Sequence, residues 1–154
     1  MSTASMAASA PVAWQGWTAL AEHPVAYPAL EVVHLIGLGL LLGPLALLDL
    51  RLWGLARGLE VLALARLALP LVATGFTLAA GSGLLMFSTQ PQELLGNRFF
   101  LGKMVLIGLA GVNAAIFHLR GCLQGHGAVP RLQTLLSLML WVGVIICGRW
   151  IAYA

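Results

Sequence analysis

Charge is scarce in this chain: 154 residues hold eight Lys and Arg and five Asp and Glu, 8% in all, against about a quarter in soluble proteins. A chain of this length cannot enclose a composition that is 60% hydrophobic within a water-soluble domain, so lipid is expected to cover it. The basic residues stand singly, with no run able to follow a phosphate backbone, which excludes nucleic acid as a partner. Cysteine occurs only twice. Cys122 and Cys147 fall at opposite membrane depths, so no intramolecular disulfide is expected. There is no G-x-S-x-G, H-E-x-x-H, phosphate-binding loop or paired-carboxylate motif, so hydrolase and phosphoryl-transfer chemistry finds no support. The opening MSTASMAASA has neither a basic n-region nor an apolar h-region, so no signal cleavage is expected and the first span must direct its own insertion.

What the chain has in quantity is apolar runs. The organising stretch is Glu31 to Arg51, EVVHLIGLGLLLGPLALLDLR, in which only His34 ionises between Val32 and Leu48. That is close to the roughly 20 residues needed to cross about 30 Å of hydrocarbon. Residues 1–30 are expected to form a tail and an interfacial segment, with Trp14, Trp17 and Tyr27 at the headgroups and Pro24 ending any short helix. Residues 31–154 are expected to form an all-α, four-helix membrane domain with spans at about 31–50, 66–87, 99–119 and 132–153. Pro44 is a candidate kink in span 1. Residues 51–65 read as an interfacial turn, STQPQELLGNR as a loop, and Pro130 as part of the first turn of span 4.

Four spans put both termini on one side. Arg51, Arg57, Arg66, Arg120 and Arg131 fall at the connections after spans 1 and 3, whereas Arg98, Lys103 and Arg149 fall at the other end. The positive-inside rule then places those connections in the cytoplasm and both termini in the periplasm, in a bacterial inner membrane. Glycines at 39, 43, 75, 81, 83, 108, 111, 143 and 148 are expected on helix contact faces, on a homo-oligomer seam, or beside a flat cofactor.

Ionisable groups inside spans are costly and are functional candidates by default. Glu31 and His34 stand three residues apart on one helix, while Lys103 lies about one turn into span 3 and Arg149 about one turn before the end of span 4. Alternating span direction brings all four to one outer level. A carboxylate, an imidazole and two cations meeting there would suit an anionic group, such as a haem propionate or a quinone oxygen, with His34 as ligand or proton carrier. The plainer reading is a pair of snorkelling cations and a water-facing Glu31.

His118 sits at the opposite depth, roughly 20 Å from His34 along the membrane normal at about 1.5 Å per residue. The two cannot hold one iron within a subunit. A bis-histidine haem would pair His34 with His23, or His118 with His126. His118, Cys122 and His126 also fall four residues apart, and a continued helix would line them up for zinc or copper, although Gly121, Gly125 and Gly127 oppose that continuation. Met86 and Met104 could soften a copper path near His34, or simply pack. Asn113, in mid-span, requires a hydrogen-bond partner on a neighbouring helix.

The combination His34-x-x-Gly37, Asp49-Leu50-Arg51-Leu52-x-Gly54, Asn97-x-Phe99-x-x-x-Lys103, Asn113-x-x-x-Phe117-His118 and Gly148-Arg149-x-Ile151-Ala152-Tyr153 resembles a family of small four-span bacterial membrane proteins, over most of residues 30–154. More distantly, the Phe/Lys opening of span 3 and the histidine near the start of span 1 are similar to the CopD copper-resistance membrane domain and to HemJ-type haem-binding protoporphyrinogen oxidases. The HemJ likeness implies a haem-ligand role for His34 and an essential role for Lys103. The CopD likeness implies copper handling without a defined ligand set. Three functions are therefore expected as alternatives. The first is a haem b protein passing electrons between a periplasmic partner and quinone. The second is a copper-handling or transport-associated protein, and the third a structural subunit of a larger membrane complex.

Overall fold

The computed structural model describes residues 25–120 and 128–153. Helix α1 spans Ala26–Leu52, α2 Val61–Thr89, α3 Pro91–Gly96, α4 Arg98–Leu119 and α5 Ala128–Trp150, followed by a 3-10 turn at Ile151–Tyr153. All but α3 are long and apolar enough to cross a membrane. Outward-facing residues such as Leu35, Leu67, Val105 and Leu132 are 62% to 68% exposed, which water would not tolerate on four helices together. The chain is an all-α, multi-pass membrane protein in contact with the lipid bilayer.

The helices overrun the hydrophobic stretches that announce them. α1 begins at Ala26 rather than Glu31 because Pro28 falls in its first turn, where no intrahelical N–H bond is lost. Its 27 residues extend about 40 Å. The helix runs through Pro44 without ending. It stops at Gly54, whose φ of +101° is the left-handed conformation that glycine adopts without cost. There Gly54 N donates to Arg51 O and Leu55 N to Leu50 O, the paired bonds that close a helix C-terminus. Arg51 then folds over the connection, donating to the carbonyls of Leu59 (2.6 Å) and Arg57 (3.2 Å). The segment expected to be a loop around Pro91 contains α3, with Pro91 at its first helical position. Pro130 lies in the first turn of α5, as its spacing suggests.

Asn97 starts α4. Its Oδ1 accepts from Phe99 N (2.9 Å) and Phe100 N (3.4 Å), while its Nδ2 donates to the carbonyl of Ile151 (3.3 Å), fixing the start of α4 to the end of α5. Nearby, Phe87 of α2 stacks on Phe100 of α4 with ring centroids 5.5 Å apart.

The bundle consists of two helical hairpins, α1 with α2 and α4 with α5, joined chiefly along α1 and α5. In the first hairpin the backbones nearly touch. A Cβ placed on Gly37 would lie 2.6 Å from Ala79 N, and one on Gly75 would lie 2.6 Å from Gly37 O. Lipid offers no hydrophobic drive for helix association, so this close approach is the source of attraction. Of the glycines expected on contact faces, Gly75 meets Gly37, Gly83 the His34 ring, Gly143 Leu106 and Gly148 Lys103, whereas Gly39, Gly43, Gly81, Gly108 and Gly111 have open space where a Cβ would stand.

Candidate functional site at the His34 end of the bundle

Two polar centres lie at opposite ends of the seam between the hairpins. At the first, His34 of α1 is half-buried against α2, where its Nδ1 stands 3.1 Å from Ser82 Oγ. Ser82 is buried and gives its single hydrogen to the carbonyls of Leu78 (2.7 Å) and, more weakly, Ala79 (3.2 Å). A hydroxyl whose hydrogen is already committed can only accept from the imidazole. Nδ1 therefore carries the ring proton of the neutral form, and the ring is held further by the Ala79 backbone beside it.

The second hairpin supplies a cation. Lys103 of α4 is half-buried and close enough to His34 to interact electrostatically, and it lies within similar range of Cys147 on α5. Small residues make the room: a Cβ on Gly148 would stand 3.5 Å from the Lys103 ammonium, and one on Gly83 3.3 Å from the His34 ring. Every spanning helix thus contributes to one level. Such a site can ligate or accept a proton through the imidazole, or stabilise a negative group through Lys103.

The expected four-member cluster is only half assembled. Glu31 is exposed beside Tyr27 on its own helix. Arg149 is exposed as well, its guanidinium 4.9 Å over the Tyr153 ring and donating to the Tyr153 hydroxyl one turn on. Both lie at the outer level but are exposed, and their contacts are with Tyr27 and Tyr153 rather than with His34. Met86 is half-buried and Met104 exposed. Cys122, His23 and His126 lie outside the described residues, so neither proposed histidine pairing nor the His118, Cys122 and His126 stripe falls within them. Among the described residues no three of His, Cys, Asp and Glu converge on a common metal position.

At the far end His118 donates from Nδ1 to the carbonyl of Ala114 (2.9 Å) and touches the edge of Phe117. It lines a cleft with Asp49, which stands 15 residues beyond His34 on α1, or about 22 Å along its axis. One haem cannot bridge the two histidines within a subunit. Asn113, lining the same cleft, finds the partner on a neighbouring helix that its burial demands, with Nδ2 donating to the carbonyl of Gln133 (3.1 Å).

Sequence reasoning missed Ser82 and Asp49. The signal for Asp49 was its place four residues after Leu45 and eight after Leu41, on the stripe that begins at Gly37 and faces the other helices. No curated protein and no solved structure matches the chain. Residues 21–154, most of the sequence, match the family described as a family of unknown function, DUF6644, and the chain belongs to that family.

Proposed function

We propose that the chain is a membrane-embedded haem b protein that passes electrons between a periplasmic partner and the quinone pool. The supporting observation is the fixed imidazole of His34, with Nδ1 engaged by Ser82 and the Lys103 ammonium within electrostatic reach of the ring. Histidine ligands characteristically have the second ring nitrogen held in this way, which sets the tautomer and the ring direction. The donor chemistry suits haem: His34 would hold the iron through its imidazole and Lys103 would neutralise a carboxylate of the group by a charge-assisted hydrogen bond. Gly83 and Gly148 keep the adjoining walls free of side chains. When bound, haem supplies a one-electron couple; the residues of the chain hold it, exclude water and balance its carboxylates. The distant likeness to HemJ-type proteins points the same way.

A copper-handling role has less support, because the Lys103 ammonium beside His34 opposes a bare cation and favours an anionic or electron-rich guest. The excess of arginine after spans 1 and 3 supports a bacterial inner membrane with periplasmic termini.

Optical spectra of detergent-purified protein test the reading. A Soret band with reducible α and β bands is expected, lost in His34→Ala and retained in His118→Ala. Colourless protein with stoichiometric copper would favour the copper role, and colourless, metal-free protein the structural-subunit role.

A further inference from the structure

The cleft at the other end of the seam carries a different chemistry. Asp49 is the only aspartate in the chain and is 4% exposed. Its Oδ2 is buried without a hydrogen-bond partner, and no basic side chain pairs with it among the described residues. It opens on a cleft of about 50 Å³, room for a few water-sized occupants at about 10 to 15 Å³ each.

The hydrogens of Thr134, Asn113 and His118 that are placed around the cleft point elsewhere. Thr134 gives its hydrogen to Arg131 O and accepts from Trp53 Nε1; Asn113 donates to Gln133 O and His118 Nδ1 to Ala114 O. None of these hydrogens goes to Asp49. The side-chain oxygens of Asp49, Asn113 and Ser137 border the cleft, and the Ser137 hydroxyl can turn to serve an occupant as donor or acceptor.

Taken element by element, α2 faces Asp49 with Leu69, α4 with Asn113, Phe117 and His118, and α5 with Gln133, Thr134 and Ser137. His118 is the one other titratable group in this lining. Arg51, the next charge along α1, is committed to the carbonyls of Leu59 and Arg57.

A buried carboxylate with no protein cation must have its charge balanced from outside the chain. One carboxylate calls for one positive charge, which selects a monovalent species over a divalent one, and a carboxylate oxygen suits a proton or a hard cation. We infer that the Asp49 cleft is a binding site for a single monovalent cation, either a proton or a sodium ion, exchanged with water past the exposed His118. The site is about 22 Å from His34 along α1 and does not depend on a cofactor there.

Because aspartate occurs once, carboxyl-labelled [13C]aspartate gives a single resonance that needs no substitution for its assignment. The full chain in micelles would be recorded at neutral pH in choline chloride and again in sodium chloride. A carboxylic-acid resonance indifferent to sodium identifies a proton as occupant. A resonance that moves saturably when sodium replaces choline identifies a sodium site. A free-carboxylate resonance unmoved by sodium overturns the inference.

Discussion

Ser82 accepts the Nδ1 hydrogen of His34 across the contact between α1 and α2, 3.1 Å between heavy atoms, and passes its own hydrogen to the carbonyl of Leu78. The imidazole is thus oriented by a chain of two hydrogen bonds ending on backbone. Nothing that moves only the side chain of Ser82 can leave His34 undisturbed.

Ser82→Ala should therefore lower the affinity of the His34 site for haem by about 10- to 100-fold, the usual cost of losing an orienting partner behind a ligand. Stability should fall by only about 1 kcal/mol, since one hydrogen bond is lost and the small residue still fits the contact. Haem titration of the apoprotein gives the first quantity. The nitrogen-15 spectrum of the imidazole gives an independent check, with the single tautomer of the wild type replaced by a mixture.

Gly75→Ala should destabilise the bundle by about 2 to 3 kcal/mol, because the added Cβ meets the backbone of α1, which cannot swing aside. Gly39→Ala should be neutral or stabilising by up to about 1 kcal/mol, since its Cβ would enter open space and alanine is the better helix former. Reversible unfolding in mixed micelles would separate them. Equal losses at the two positions would mean that α1 packs through its Gly39 and Gly43 face.

Orientation can be read from Cys122. It follows α4 at the arginine-rich connection, so membrane-impermeant thiol reagents should reach it from the cytoplasmic side. Labelling of Cys122 in intact cells, with Cys147 replaced by alanine, would reverse the assigned topology.

Depth was legible in the residues, and rotation was not. Counting along the apolar runs places His34 and Lys103 at one level and His118 at the other, and the structure keeps those levels. Rotation about a helix axis is normally read from an apolar stripe beside a polar one. Here the lipid-facing and helix-facing sides are equally apolar, so that contrast is missing. This is why the Gly39 and Gly43 spacing suggested a contact that Gly37 makes instead, and why Glu31 and Arg149 were brought toward a cluster although both are exposed. Asp49 and Ser82 were missed for the same reason. Among four similar runs, only the facing helix shows that each is enclosed.

The division into hairpins also sets an order of biogenesis. Chains fold from the N-terminus as they are made, and α1 can settle against α2 before α4 leaves the ribosome. The His34 and Ser82 bond belongs wholly to that first hairpin, so the oriented imidazole exists early, whereas Lys103 and Gly148 arrive together with the second. Asp49 enters the bilayer with the first hairpin and waits for α4 and α5 to enclose it. A nascent chain halted after α2 would already display a directed histidine but would lack the neighbouring ammonium and the walls of the aspartate cleft.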